Sequence, residues 1–316
     1  MFVNKVDRPK KFEDYIGQDN IIANLRIYIA SSKKQAKVLD HIIIHGPSGM
    51  GKTSLANLIS LEMKKRIIIL NGPTLQKPSD IISPLTTLKQ DEFLFIDEVH
   101  AVSKEVLEVI YPVLENNELS VILGKDYNSK IVNIKLQPFT LICATTEINK
   151  LPLPFVNRFS INFQLQPYSR NDITKIIINY AKNINFELKY EIANFIARFT
   201  KNNPRIAINI IKRIYDYYII ENPAEVSITY IKSILQKLQI WKFGLSNIDV
   251  RYLKILAQHG TLGIDSISQI LDLPVTIIIN TIEPVLVKNV LIVKSSKGRT
   301  ITDEGRKFLN SMAIDK

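Results

Sequence analysis

The residues best equipped for chemistry begin in one short stretch, HIIIHGPSGMGKTS, at positions 41–54. Gly46 opens a Gly-x4-Gly-Lys-Thr pattern that closes on Gly51, Lys52 and Thr53, set between an apolar β-branched run and the helix-like segment SLANLISLEMKK. Strand, glycine loop and helix N-terminus together aim backbone N–H groups and a positive dipole end at one concave point, which suits phosphate oxygens. In such a loop Lys52 reaches the β- and γ-phosphates of a nucleotide, and the Thr53 hydroxyl holds Mg²⁺. A second apolar run, FLFIDE at 93–98, ends in Asp97 and Glu98. A buried parallel strand delivers such acids to the edge where ligands bind in open α/β sheets. Asp97 is therefore expected in the Mg²⁺ shell, with Glu98 orienting and deprotonating the attacking water. A third run, at 139–144, ends in Thr145 and Thr146, hydroxyls that can hydrogen-bond that water or the γ-phosphate.

Other candidates carry two readings each. Tyr15 and Ile16 either line an adenine pocket or staple the N-terminal arm to the core. Arg158, in the proline-broken segment LPLPFVNRF, is either a surface charge or the planar, permanent cation that a neighbouring subunit supplies to a transferring phosphoryl group. Arg205 falls in the first turn of a predicted helix, where a cation gains nothing from the dipole, and this points to a duty facing phosphate.

The elements that must position these groups follow from periodicity. Strands are expected at 42–44, 66–71, 93–96, 139–144 and 160–165, with helices at 20–32, after Thr53 and at 102–116. Residues 119–123 and 131–136 alternate around a polar tip, GKDYNSK, and predict a hairpin, either a docking element or surface decoration. From Tyr168 onward strands give way to helices at 169–184, 189–200, 205–220 and 227–238, a small helical lid. After Lys242-Phe243-Gly244, helices at 247–259, 265–271 and 275–288 precede strands at 291–295 and 300–302. That order is a winged-helix pattern. Lys294, Lys297 and Arg299 on its wing are candidates for contact with nucleic-acid phosphates, the other reading being a protein-docking wing. The expected architecture is α/β: a P-loop domain with a parallel sheet at 1–167, a lid at 168–242 and a winged helix at 243–316.

Composition agrees with this plan and narrows the class. The 316 residues are 46% hydrophobic, which excludes a disordered chain, and suffice for several cores. Lysine and arginine outnumber acids by 41 to 30, a net +11 that suits a polyanionic partner or reflects a lysine-rich composition. One cysteine, Cys143, excludes a disulfide framework and a cysteine metal site, and fits a reducing, cytoplasmic compartment. No apolar run reaches the roughly 20 residues of a membrane span.

In this order the pieces resemble the RuvB family of AAA+ ATPases, essentially from end to end. The stretches that carry the resemblance are RPKKFEDYIGQ, LDHIIIHGPSGMGKTSLAN, FLFIDEVH, EVLEVIYP, QPFTLICATT, NPRIA and the closing KGR. The resemblance implies that Arg8, Tyr15, Ile16 and Tyr168 border adenine, and that Gly49, Gly51, Lys52, Thr53 and Ser54 hold the phosphates. It makes Thr146 the sensor 1 residue, Arg158 the finger reaching the adjacent subunit and Arg205 the sensor 2 residue. It further implies an ATP- and Mg²⁺-dependent hexamer driving Holliday-junction branch migration on duplex DNA. The hairpin at 119–136 would dock on RuvA, with a RuvC-type resolvase in the same complex. The chain departs from the family pattern at Ser48 (proline in the family), Glu147 (commonly arginine), Val156 (the first arginine of Leu-Arg-Asp-Arg) and Asn202-Asn203 (Gly-Thr). A rival reading is an origin-binding initiator, which also joins an AAA+ unit to a winged helix; another is a decayed ATPase retained for DNA binding.

Overall fold

The computed structural model describes residues 9–123 and 130–314. Arg8 and the tip of the expected hairpin, 124–129, lie outside the described residues. The chain divides into two compact units, Met1–Tyr168 and Ser169–Lys316.

The first unit begins with α1 (Asp19–Gln35), followed by β1 (Ile42–His45), α2 (Lys52–Met63), β2 (Ile67–Asn71), α3 (Pro78–Thr87), β3 (Phe93–Asp97) and α4 (Lys104–Asn116). After these come β4 (Glu118–Leu123), β5 (Lys130–Lys135), β6 (Thr140–Thr145), the single turn α5 (Leu153–Val156) and β7 (Ile161–Gln164). Five strands form one sheet in the order β2-β3-β6-β1-β7, and every pairing is parallel. The inner strands need apolar side chains on both faces, and their sequences supply them: Ile42, Ile43 and Ile44 of β1 and Phe93, Phe95 and Ile96 of β3 are fully buried. Edge strand β7 instead alternates buried and exposed residues. Cys143 sits inside β6 with no exposed surface, and burial alone pushes its thiol well above the ordinary range. β4 and β5 pair antiparallel from Glu118↔Lys135 to Leu123↔Lys130, the expected hairpin, and stand apart from the main sheet.

Helix α3 is absent from the periodicity reading. Its sequence, PSDIISPLTT, has prolines at Pro78 and Pro84, which argue for a loop. Pro78, however, stands at the first turn, where its missing N–H costs nothing, and the Asp80 carboxylate accepts the N–H groups of Gln76 and Lys77. Ile81 and Leu85 then bury one helical face in the sheet's core.

In the second unit, α6 (Arg170–Asn183), α7 (Tyr190–Ala197), α8 (Pro204–Glu221) and α9 (Ile228–Lys237) form a helical bundle. Ser169, Asn203 and Ser227 cap three of these helices, each accepting backbone N–H with its side chain. The remaining elements are α10 (Asn247–His259), α11 (Ile264–Leu271), α12 (Val275–Ile277), α13 (Glu283–Lys288), β8 (Ile292–Ser295), β9 (Gly298–Ile301) and α14 (Asp303–Ile314). β8 and β9 form a two-stranded antiparallel wing. The expected continuous helix at 275–288 is broken by a π-turn over Ile278–Ile282. Pro284 explains the break, because it has no N–H for the carbonyl of Asn280 and its ring crowds that carbonyl.

Candidate functional site: the phosphate loop and its neighbours

The C-terminal ends of β1, β3 and β6 meet at one edge of the sheet, and most of the expected site residues of the first unit lie there. Gly46, Gly49 and Gly51 all take positive φ, at 145°, 81° and 100°, conformations that a side chain would strain. α2 starts at Lys52 immediately after Gly51, so the loop's backbone N–H groups and the helix N-terminus share one hollow. Thr53 and Ser54 follow in the first turn. The Lys52 side chain is buried along the loop, its Nζ donating to the carbonyls of Gly46 at 2.7 Å and Pro47 at 3.1 Å.

Thr53 Oγ1 donates to Asp97 Oδ2 at 2.8 Å. A hydroxyl and a carboxylate brought this close are oxygen donors of the hard type that Mg²⁺ prefers. Among the described residues no cluster of three or more His, Cys, Asp or Glu side chains offers a protein-only metal cage.

Glu98 follows Asp97 with φ 51°, a left-handed conformation uncommon for a residue with a side chain. The close approach that this turn requires is met by Gly72, just beyond β2, where an added Cβ would lie 2.1 Å from the Glu98 carbonyl oxygen. Glu98 Oε2 accepts from the Thr146 N–H at 3.1 Å and Thr146 Oγ1 at 3.0 Å. The residue expected to activate water and the residue expected at the tip of the neighbouring strand are therefore in direct contact.

Tyr15 and Tyr168 are both buried, their hydroxyls 3.4 Å apart, and Tyr168 also donates to the Met50 carbonyl at 3.2 Å. A Cβ at Gly51 would stand 2.7 Å from the Tyr15 hydroxyl, so the N-terminal arm packs directly against the phosphate loop. Burial, reinforced by Tyr168, pushes the Tyr15 phenol well above its ordinary value, which keeps it a neutral donor. Ile16, beside it, is half-buried.

Arg158 does not join this group. Its guanidinium donates to the Pro154 carbonyl at 2.6 Å, pairs with Glu115 at 2.6 Å and lies 4.6 Å from the centre of the Tyr111 ring. In the second unit Arg205 is exposed in the first turn of α8, just after the Asn203 cap. On the wing, the expected row of phosphate contacts divides. Lys297 is exposed near the tip, whereas Lys294 and Arg299 both pair with the fully buried Glu283, Arg299 at 2.8 Å. Tyr252 adds its hydroxyl to the same carboxylate at 3.0 Å. Burial pushes the Glu283 carboxyl up, but bonds from Arg299, Lys294 and Tyr252 outweigh it and hold the group below its ordinary value.

Sequence reasoning passed over His100. Its Nδ1 lies 2.9 Å from Thr145 Oγ1 and 3.3 Å from Glu98 Oε2, and its Nε2 lies 3.1 Å from Glu147 Oε2. A histidine two positions after the acid pair was the available signal.

Comparison with known proteins gives the same picture along the whole chain. Residues 7–165 match the Holliday junction DNA helicase RuvB P-loop domain, residues 168–241 the RuvB AAA lid domain and residues 242–310 the RuvB C-terminal winged helix domain. The Holliday junction branch migration complex subunit RuvB of Mycoplasma genitalium is 40% identical over 306 residues, 96% of this chain and 98% of the relative. Its counterpart from Mycoplasmopsis synoviae is 38% identical over 308 residues, again 96% and 98%. The solved structure of the Thermotoga maritima RuvB Holliday junction branch migration motor superposes with a TM-score of 0.82 at 30% identity, covering 97% of this chain and 99% of that one. With full-length identity of this order and all three domain families matched in sequence, this chain belongs to the RuvB family.

Proposed function

We propose that the chain is an ATP-hydrolysing motor subunit that drives branch migration of Holliday junctions in recombination and repair. The observation that carries this reading is the convergence of Lys52, Thr53, Asp97, Glu98 and Thr146 at one sheet edge in a chain whose full-length relatives bear that name. Lys52 neutralises charge on the β- and γ-phosphates while Gly49, Gly51 and Ser54 present backbone N–H groups to them. Thr53 and Asp97 would hold Mg²⁺, which when bound offsets negative charge on the triphosphate. Glu98 takes a proton from the attacking water, and Thr146 fixes the glutamate and the γ-phosphate relative to each other. Tyr15, Ile16 and Tyr168, with Arg8, border the adenine, and Arg205 senses the phosphates from the lid.

Arg158 acts on a neighbouring subunit's nucleotide, so hydrolysis requires a ring, a hexamer around duplex DNA. In that state its contacts with Glu115 and Tyr111 give way to the phosphoryl group. The hairpin at 119–136 docks on RuvA, a RuvC-type resolvase joins the same complex, and Lys297 leads the wing's contact with DNA, Lys294 and Arg299 lying behind it. The domain limits that fit these duties are 1–167, 168–242 and 243–316, in a cytoplasmic protein.

The test is ATP turnover and branch migration on a four-way junction, with and without RuvA. Glu98→Gln should bind ATP and lose turnover by about 100-fold or more. Near-normal turnover in that variant removes the assignment of Glu98. An initiator would hydrolyse ATP and move no junction, and a decayed ATPase would leave ATP intact.

A further inference from the structure

We propose that His100, held from behind by Glu147, positions the Glu98 carboxylate, so that Glu147 governs the hydrolytic step without touching the nucleotide. The proposal rests on the reading of Glu98 as the residue that activates water.

The geometry is a chain of contacts running away from the phosphate site. Glu98 Oε2 faces three partners: the Thr146 N–H, the Thr146 hydroxyl and His100 Nδ1 at 3.3 Å. With Oε2 so engaged, Oε1 is the oxygen left to accept the proton of water. The imidazole that closes this set is itself fixed at both ends. Nδ1 meets Thr145 Oγ1 at 2.9 Å, and that hydroxyl, fully buried, also accepts the Glu147 N–H at 3.0 Å. Nε2 points to Glu147 Oε2 at 3.1 Å.

Glu147 is in turn anchored by Lys150, whose Nζ lies 2.9 Å from the same oxygen. That bond, above all, holds the Glu147 carboxyl below its usual range despite some burial, with the charges of Lys150 and His100 adding to it. Glu147 is thus an anion facing Nε2, a charged anchor that fixes the angle of the ring lying between it and Glu98. The ring is 14% exposed, so its orientation depends on these partners and not on solvent. An orienting group behind a histidine that touches the reacting centre is a recurrent arrangement, because the outer partner fixes both tautomer and angle.

The experiment measures steady-state ATP turnover of the full chain with four-way junction DNA. Glu147→Ala should lower kcat about tenfold while KM for ATP stays within about twofold, since orientation and not binding is lost. Glu147→Asp, which keeps the charge, should recover part of that loss. His100→Asn keeps a polar group near Thr145 but cannot reach Glu147, so adding Glu147→Ala to it should change kcat no further. The proposal is overturned by unchanged kcat in Glu147→Ala, by a loss confined to KM, or by losses that multiply in the double variant. Glu147 has a side chain 43% exposed, so its replacement should leave the thermal midpoint unchanged. Normal turnover in Glu98→Gln would instead remove the reading on which the proposal rests, whereas an inactive Glu98→Gln beside a normal Glu147→Ala removes the proposal alone.

Discussion

Asp97 with Glu98 in the first unit, and Glu283 in the second, are carboxylates that the surrounding cations and hydroxyls converge on, yet the two regions are built to opposite ends. Around the phosphate loop, hydroxyls of Thr53 and Thr146 bond the acids, and the Glu98 side chain keeps 33% of its surface exposed. Neutral donors of this kind can be exchanged for a hydrated ion or a reacting water at small cost. In the winged helix, Glu283 has no exposed surface and is matched by Arg299, Lys294 and a phenol. Full charges paired inside a fold cannot be separated without leaving one of them desolvated. The first arrangement holds groups ready for a ligand; the second ties them to the fold, although both consist of acids and bases that look alike in a sequence.

The contrast can be broken by substitution and by pH. The largest effect is expected for Glu283→Ala, which leaves the largely buried Arg299 guanidinium without its carboxylate and should destabilise the winged helix by about 3–5 kcal/mol. Thermal unfolding followed with nucleotide-binding measurements should show the loss with ATP binding intact; unchanged stability would mean that the buried pairings contribute nothing.

Acid should then separate the two units. Burial lowers the His41 pKa to about 4, partly opposed by Asp40, and its Nδ1 accepts the Leu141 N–H at 2.9 Å. Below the ordinary value of 6.5 the unfolded chain takes up a proton that the folded chain refuses until about 4, so stability falls as pH drops through that window. The total is about 3 kcal/mol. Glu283, held below its ordinary 4.5, keeps its full contribution down to about that value and loses it only as the pH falls further. Melting curves between pH 7 and pH 4 should therefore show the P-loop unit weakening first, and a flat response there would refute the assignment to His41.

Gly72→Ala probes the strained turn at Glu98. A Cβ there meets the glutamate's carbonyl, and a displacement of that size should reduce ATP turnover by about 100-fold, with nucleotide binding retained. The smallest effect is expected at Lys297→Ala, which should weaken duplex binding modestly and reduce the dependence of log affinity on log salt by about one. Arg299→Ala, by contrast, should register mainly as lost stability, and equal, purely ionic effects of the two would erase the distinction between the regions.

Much of this architecture was legible in the sequence because its signals are local. Short apolar runs that end in Gly46, Asp97 or Thr145 announce strands, and the spacing of Lys52 and Thr53 announces a phosphate loop. α3 was hidden because Pro78 and Pro84 look like breakers until Asp80 is seen accepting the N–H groups of the preceding residues. The order of strands in the sheet depends on which apolar faces meet, and local periodicity carries no such information. His100 and Glu283 escaped for a related reason. Their partners, Thr145, Glu147, Lys294, Arg299 and Tyr252, come from other segments, and a lone histidine or glutamate on a helix-like stretch gives no sign of what folds against it.

The burial of Cys143 inside β6 has a practical consequence. A thiol without exposed surface, held protonated by its apolar surroundings, is a poor nucleophile toward maleimides and similar reagents. The native chain is therefore silent to thiol-directed dyes, and a single cysteine introduced on the wing, as in Lys297→Cys, would carry a fluorophore at one defined place without any other residue having to be replaced.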